Sequence, residues 1–118
     1  GTRFATAVSS GSAAVHSALS SLQLEPGDEV ICPPVSDPGG ISPVLYNLCI
    51  PVFADTAPDT FNVSAEGIER VLSKRTRAIM VAHIAGEPCE MDAILRLAAE
   101  HDLPVIEDAA QAHDATWN

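Results

Sequence analysis

Apolar positions along the chain change period several times. From Ser12 to Leu22, Val15, Ala18, Leu19 and Leu22 recur at helical spacing, and Pro26-Gly27-Asp28 stops the helix. Glu29–Cys32 is a short β-rich run closed by Pro33-Pro34. Val35 to Gly40, with Ser, Asp, Pro and two glycines, reads as a loop, and Ile41 to Leu48 as a helix whose early Pro43 loses nothing by lacking an N–H. Pro51 to Asp55 predicts a strand and Asp59 to Val63 a turn. Ser64 then caps a helix running through Ile68, Val71 and Leu72, closed by Lys74-Arg75-Thr76. Ala78 to His83 is a continuous apolar run, best explained by a strand covered on both faces and followed by a Gly86/Pro88 loop. Met91, Ile94, Leu95 and Ala98 form a helical stripe, and Val105-Ile106 begin a last strand ending at Glu107-Asp108. A short strand-like segment, Ala7-Val8, precedes the first helix.

This strand–helix alternation predicts an α/β fold: three α/β/α layers around a mostly parallel sheet, with ligands collecting beyond the carboxyl ends of the strands. Ser9-Ser10-Gly11 and Glu107-Asp108, nearly a hundred positions apart, both fall at that edge.

Composition narrows the partners. The 118 residues are 47% hydrophobic and 4% aromatic, which suits one domain with an Ala/Val/Ile/Leu interior. A formal charge of -10, with six Lys and Arg in all, argues against a nucleic-acid or anionic-membrane surface. No apolar run approaches membrane-spanning length, and no charged-then-apolar leader opens the chain. Cys32, Cys49 and Cys89 are an odd number without a close pair, so neither a disulfide framework nor a metal site is expected, and a reducing, cytoplasmic setting fits. Starting at Gly1 rather than Met, the chain reads as a fragment.

Candidate chemistry sits at the two ends. At Ser10-Gly11-Ser12, helix N-terminal N–H groups and two hydroxyls can bind an anion, with Gly11 permitting close approach; a plain helix cap is the alternative. Asp108 could hold a pyridine nitrogen protonated, or simply cap the following turn or meet a metal. Gln111 can hydrogen-bond a phenolic oxygen on such a ring, or be a solvated amide. Pyridoxal 5'-phosphate (PLP) has the anatomy that both ends require. Glu107 points away from Asp108 if the strand continues, which sets aside a paired-carboxylate mechanism. His83 ends a strand at the same sheet edge and reads either as a ligand contact or as a hydrogen-bonded structural residue.

An ordered set of segments carries a resemblance to the DegT/DnrJ-type sugar aminotransferases, in the aspartate-aminotransferase-like class of PLP enzymes. It includes Val8-Ser9-Ser10-Gly11-Ser12-Ala13-Ala14, Pro26-Gly27-Asp28-Glu29-Val30-Ile31, Pro51-Val52-Phe53-Ala54-Asp55, Pro58-Asp59-Thr60, Thr76-Arg77-Ala78-Ile79, the His83/Gly86/Pro88/Met91-Asp92 stretch and Glu107-Asp108-Ala109-Ala110-Gln111-Ala112. The resemblance implies that residues 1–118 are part of the large, PLP-binding domain of a fold-type-I enzyme, without its small C-terminal domain. It implies that Ser10, Gly11 and Ser12 hold the cofactor phosphate, that Asp108 pairs with the pyridine nitrogen as the catalytic acid group, and that Gln111 approaches the ring hydroxyl. The implied reaction moves an amino group from an amino acid to a nucleotide-linked ketosugar, in a homodimer when intact.

Two departures bear on that implication. The family commonly places a ring-stacking aromatic residue after the second strand, and the matching position is Asp37. The Schiff-base lysine of the family lies downstream of the Asp, past Asn118, so this chain alone is expected to be inactive. Lys74, the only lysine, sits beside Arg75 on a turn after a helix, at the opposite end of the following strand. Two relatives of the reading stay open: a sugar dehydratase with His in place of that lysine, and a PLP-binding regulator without turnover. A generic dinucleotide domain lacks its glycine fingerprint here.

Overall fold

Strand residues with period-2 side chains need apolar partners on both sides when the sheet is internal, and the central strands supply them. In the computed structural model, which describes residues 2–117, four strands form one parallel sheet: β1 (Glu29–Cys32), β2 (Ile50–Phe53), β3 (Thr76–Ala82) and β4 (Val105–Asp108), in the order β2-β1-β3-β4. Val30, Cys32, Ala78 and Met80 point to one face, where they meet Val15 and Leu19 of α1 (Gly11–Ser21) and Val44 of α2 (Pro38–Tyr46). Ile31, Ile79 and Val81 point to the other, against Ile68 of α3 (Ala65–Val71) and Met91, Ile94, Leu97 and Ala98 of α4 (Met91–Glu100). The expected three layers are present, and the run at 78–83 is apolar because both of its faces are covered.

Local signals explain the helix starts. Ser10 Oγ accepts the Ala13 N–H at 3.1 Å, and Ser64 Oγ accepts the Gly67 N–H at 3.0 Å, each satisfying a donor with no partner inside its helix. The second helix departs from the expected Ile41 start. It begins at Pro38, with Asp37 as its cap and Oδ1 accepting the Gly39 N–H at 2.8 Å, so the last three residues of the segment read as a loop, Pro38-Gly39-Gly40, open the helix, while Val35 to Asp37 lie outside it. Pro43 therefore lies inside the helix and forgoes one i→i−4 bond. Ala7-Val8 does not form a strand: it has no pairing partner among the described residues, and Val8 is 43% exposed. On α4, Leu97 is buried and Leu95 faces outward.

Cys32, Cys49 and Cys89 are all buried. Burial pushes the Cys32 thiol up to about 12, and burial together with the Glu107 charge pushes Cys89 up to about 11. Both are then protonated at neutral pH. A thiol reagent applied to the native protein at pH 8 is expected to leave Cys32 and Cys89 unlabelled, and to modify both once denaturant is added. Mass spectrometry of the labelled peptides checks this. Among the described residues no helix is long and apolar enough to cross a membrane, and no cluster of His, Cys, Asp and Glu could hold a metal ion.

Candidate functional site

The order β2-β1-β3-β4 reverses direction between β1 and β3, and in an open parallel sheet the crevice beyond the carboxyl ends at that reversal is where ligands collect. The chain leaving β1 there runs through Ser36 and Asp37 into α2, and the chain leaving β3 begins with His83. Those residues line a narrow cleft together with Asp108, Ala110 and Gln111. An open groove, lined by Gly11, Ala14, Ile106 and His113, also reaches Asp108. Asp108 thus stands where the two spaces meet.

Gly39 and Gly40, in the first turn of α2, bring the two ends of the chain together. A Cβ on Gly39 would overlap Ser12 Oγ and lie 2.9 Å from Asp37 Oδ1. A Cβ on Gly40 would lie 2.8 Å from Ser36 Oγ and 3.3 Å from Asp108 Oδ2. With glycine at both positions, Ser12, Ser36 and Asp108 lie close to the same piece of backbone. The starts of α1 and α2 meet here as well, which adds two helix N-terminal partial positive charges next to the carboxylate.

The individual candidates fare differently. Ser10 does the work of a helix cap through its bond to Ala13. Gly11 has open space where a side chain would be, so no packing within the chain explains its glycine. Asp108 ties Oδ1 to the Ala110 N–H at 3.0 Å, holding the turn after β4; among the described residues no donor reaches Oδ2. Gln111 Oε1 accepts the Ala85 N–H at 2.8 Å, which leaves the amide nitrogen as its group for a ligand. His83 is buried, with Nδ1 accepting the Cys89 N–H at 3.1 Å and Nε2 at 3.1 Å from Glu107 Oε2. The accepted bond leaves Nδ1 unprotonated, so Nε2–H faces Glu107 and His83 is the tied structural residue of its two readings. Glu107, pointing away from Asp108, is its partner.

The profile of the DegT/DnrJ/EryC1/StrS aminotransferase family matches residues 1–118. The chain belongs to this family. It is 43% identical over 117 residues to GDP-perosamine synthase of Caulobacter vibrioides, covering 99% of this chain and 32% of that protein. It is 42% identical over 125 residues to dTDP-4-dehydro-2,6-dideoxy-D-glucose 3-dehydratase of Saccharopolyspora spinosa, covering 99% of this chain and 27% of that protein. The crystal structure of NtdA from Bacillus subtilis, solved with the cofactor PMP bound, superposes with a TM-score of 0.84 at 37% identity over 87% of this chain and 24% of that one. The chain spans about a third or less of the length of these relatives. As a DegT/DnrJ/EryC1/StrS family member it has the fold-type-I α/β architecture of PLP aminotransferases, matching the fold expected from its strand–helix order.

The residues present suit PLP in three respects. Asp108 offers an acceptor for a protonated ring nitrogen. The Gly11 turn offers N–H donors beside open space, and Gln111 offers an amide donor whose other end is already tied. Lys74 lies by the amino end of β3, away from this cleft.

Proposed function

We propose that the intact protein is a PLP-dependent aminotransferase that moves an amino group from an amino acid to a nucleotide-linked ketosugar, and that residues 1–118 are part of its large, cofactor-binding domain. The observation that carries this reading is the meeting of Ser12 and Asp108 across Gly39 and Gly40, a pairing of anion donors and carboxylate that the family membership gives a chemical purpose. When bound, PLP supplies an electron sink for the carbanion formed at the amino donor. Gly11 and Ser12 hold its phosphate, with Ser10 fixing the helix start behind them. Asp108 keeps the ring nitrogen protonated, its orientation set by the Ala110 N–H. Gln111 donates its amide to the ring oxygen. Asp37 caps α2 and offers no π-face, so the ring is not stacked from that position. The Schiff-base lysine comes from sequence outside these residues. The unpaired cysteines fit a reducing cytoplasm, and the family resemblance supports a homodimer.

The test is a full-length assay: PLP binding followed by visible absorption, and amino transfer to nucleotide-linked ketosugars followed by mass spectrometry of the product. Sugar deoxygenation without transfer would instead favour the dehydratase reading, which the 3-dehydratase relative supports. Ser12→Ala should weaken PLP binding by the worth of a hydrogen bond to a charged group, about 1.5–3 kcal/mol. Equal dissociation constants in the two forms would remove Ser12 from the cradle.

A further inference from the structure

Asn62 is a polar residue only 4% exposed, in the loop between β2 and α3 and outside the cleft. Its Oδ1 accepts the Ile84 N–H at 3.0 Å, and its Nδ2 donates to the Glu87 carbonyl at 2.8 Å. The two bonds grip both ends of the single 3-10 turn, Ile84–Gly86, that follows β3. Inside that turn Ala85 is left-handed, with φ 56° and ψ 21°, a conformation that crowds a residue with a Cβ. Such a conformation persists only where the surroundings impose it.

The turn's internal geometry bears on the cleft. The Ala85 N–H is the donor that ties Gln111 Oε1 at 2.8 Å. Gly86, at φ 87°, takes the left-handed conformation that favours glycine, and the turn lies against Gln111, whose carbonyl oxygen is in van der Waals reach of the Gly86 α-carbon substituent position. A backbone N–H can be met only by the amide oxygen, so the turn decides which end of the Gln111 amide remains for a ligand.

We propose that Asn62 is a positioning residue for the cofactor site: by clamping the 84–87 turn it pins Gln111 Oε1 and leaves the Gln111 amide nitrogen as a fixed donor to the ring oxygen of PLP. The inference rests on the PLP reading above and extends it to a residue that touches no ligand.

A double-mutant cycle in the full-length protein tests it, with PLP as titrant and the visible absorption band of bound PLP as readout. Asn62→Leu removes both clamping bonds and should weaken PLP binding about fivefold, the worth of one imperfectly held hydrogen bond. It should also move the pH midpoint of the band upward, because a lost donor no longer favours the anionic ring oxygen. In a Gln111→Leu background, Asn62→Leu should add no further change. Equal effects in both backgrounds would mean that Asn62 supports the fold without acting through Gln111, and would overturn the proposal. So would an unchanged band and affinity in the single variant. Should Asn62→Leu fail to fold, Asn62→Asp keeps the size and the acceptor for Ile84 but loses the donor to Glu87, and must give a smaller shift of the same sign. Wild-type protein that binds no PLP overturns the cofactor reading and this role together, an outcome distinct from PLP binding that is indifferent to Asn62.

Discussion

Asp108→Ala in the full-length protein should reduce amino transfer by roughly 10²–10³-fold in kcat, the scale seen when one preorganised electrostatic partner is removed from a reaction centre. The carboxylate's proposed task is to keep a proton on the ring nitrogen, and a neutral ring withdraws far less charge from a developing carbanion. Asp108 has a second task, however, because Oδ1 accepts the Ala110 N–H and shapes the turn leading to Gln111. The two tasks separate in Asp108→Asn, which retains a side-chain oxygen for Ala110 but no charge. Asn should therefore be nearly as slow as Ala while binding PLP more tightly than Ala does. Single-turnover rates with the amino donor, set beside PLP dissociation constants, report the two quantities. Wild-type rates in Asp108→Asn would remove the charge from the mechanism and leave Asp108 as a turn former.

Much of this arrangement was readable from residue order. Two-faced burial of residues 78–82, the Ser64 cap and the stripe on α4, Leu95 excepted, follow from period and capping chemistry alone, and the alternation of elements placed Asp108 at the carboxyl edge of the sheet; the turn at Ser10-Gly11 was placed there through an Ala7-Val8 strand that the structure lacks. The start of α2 was harder. Pro38, Gly39 and Gly40 are poor helix formers, and their low propensity outweighed a valid start signal, an Asp cap followed by Pro at the first helical position. That misreading mattered, because the same glycines admit Ser12 and Asp108 to one backbone segment. The Gly39-Gly40 pair was the available clue: two adjacent residues without side chains in a helical turn imply that something approaches it closely. Ala7-Val8 misled in the opposite direction, since two apolar residues can resemble a strand but pairing requires a neighbour. Asn62 carried no signal at all. In a turn-rich segment an Asn is ordinary, and its partners Ile84 and Glu87 lie 22 and 25 residues further along the chain.

The loop that bears Asn62 is itself set by a glycine, which leads to the largest stability effect expected for a single methyl group. Gly67 is buried in the first turn of α3, and a Cβ there would overlap the Asp55 carbonyl oxygen and lie 3.1 Å from both Asp55 C and Ser64 Oγ. Ala is the better helix former by up to about 1 kcal/mol, so propensity alone predicts stabilisation. The obstacle is backbone at the end of β2, however, and backbone cannot rotate aside as a side-chain tip would. Overpacking against it costs about 1–3 kcal/mol or more, and relief requires moving α3 away from the Asp55–Ser64 loop. Gly67→Ala should therefore lower the Tm of the full-length protein by several degrees and loosen PLP binding indirectly through the Asn62 clamp. Gly11→Ala makes the opposite case. Its Cβ would enter open space at the start of α1, so Tm should hold or rise slightly while PLP binding weakens, because the added methyl occupies room proposed for the phosphate. Thermal unfolding and PLP titration of both variants decide the matter. A Gly67→Ala protein as stable as wild type would show that α3 is free to shift, and a Gly11→Ala protein with wild-type PLP affinity would place the phosphate elsewhere.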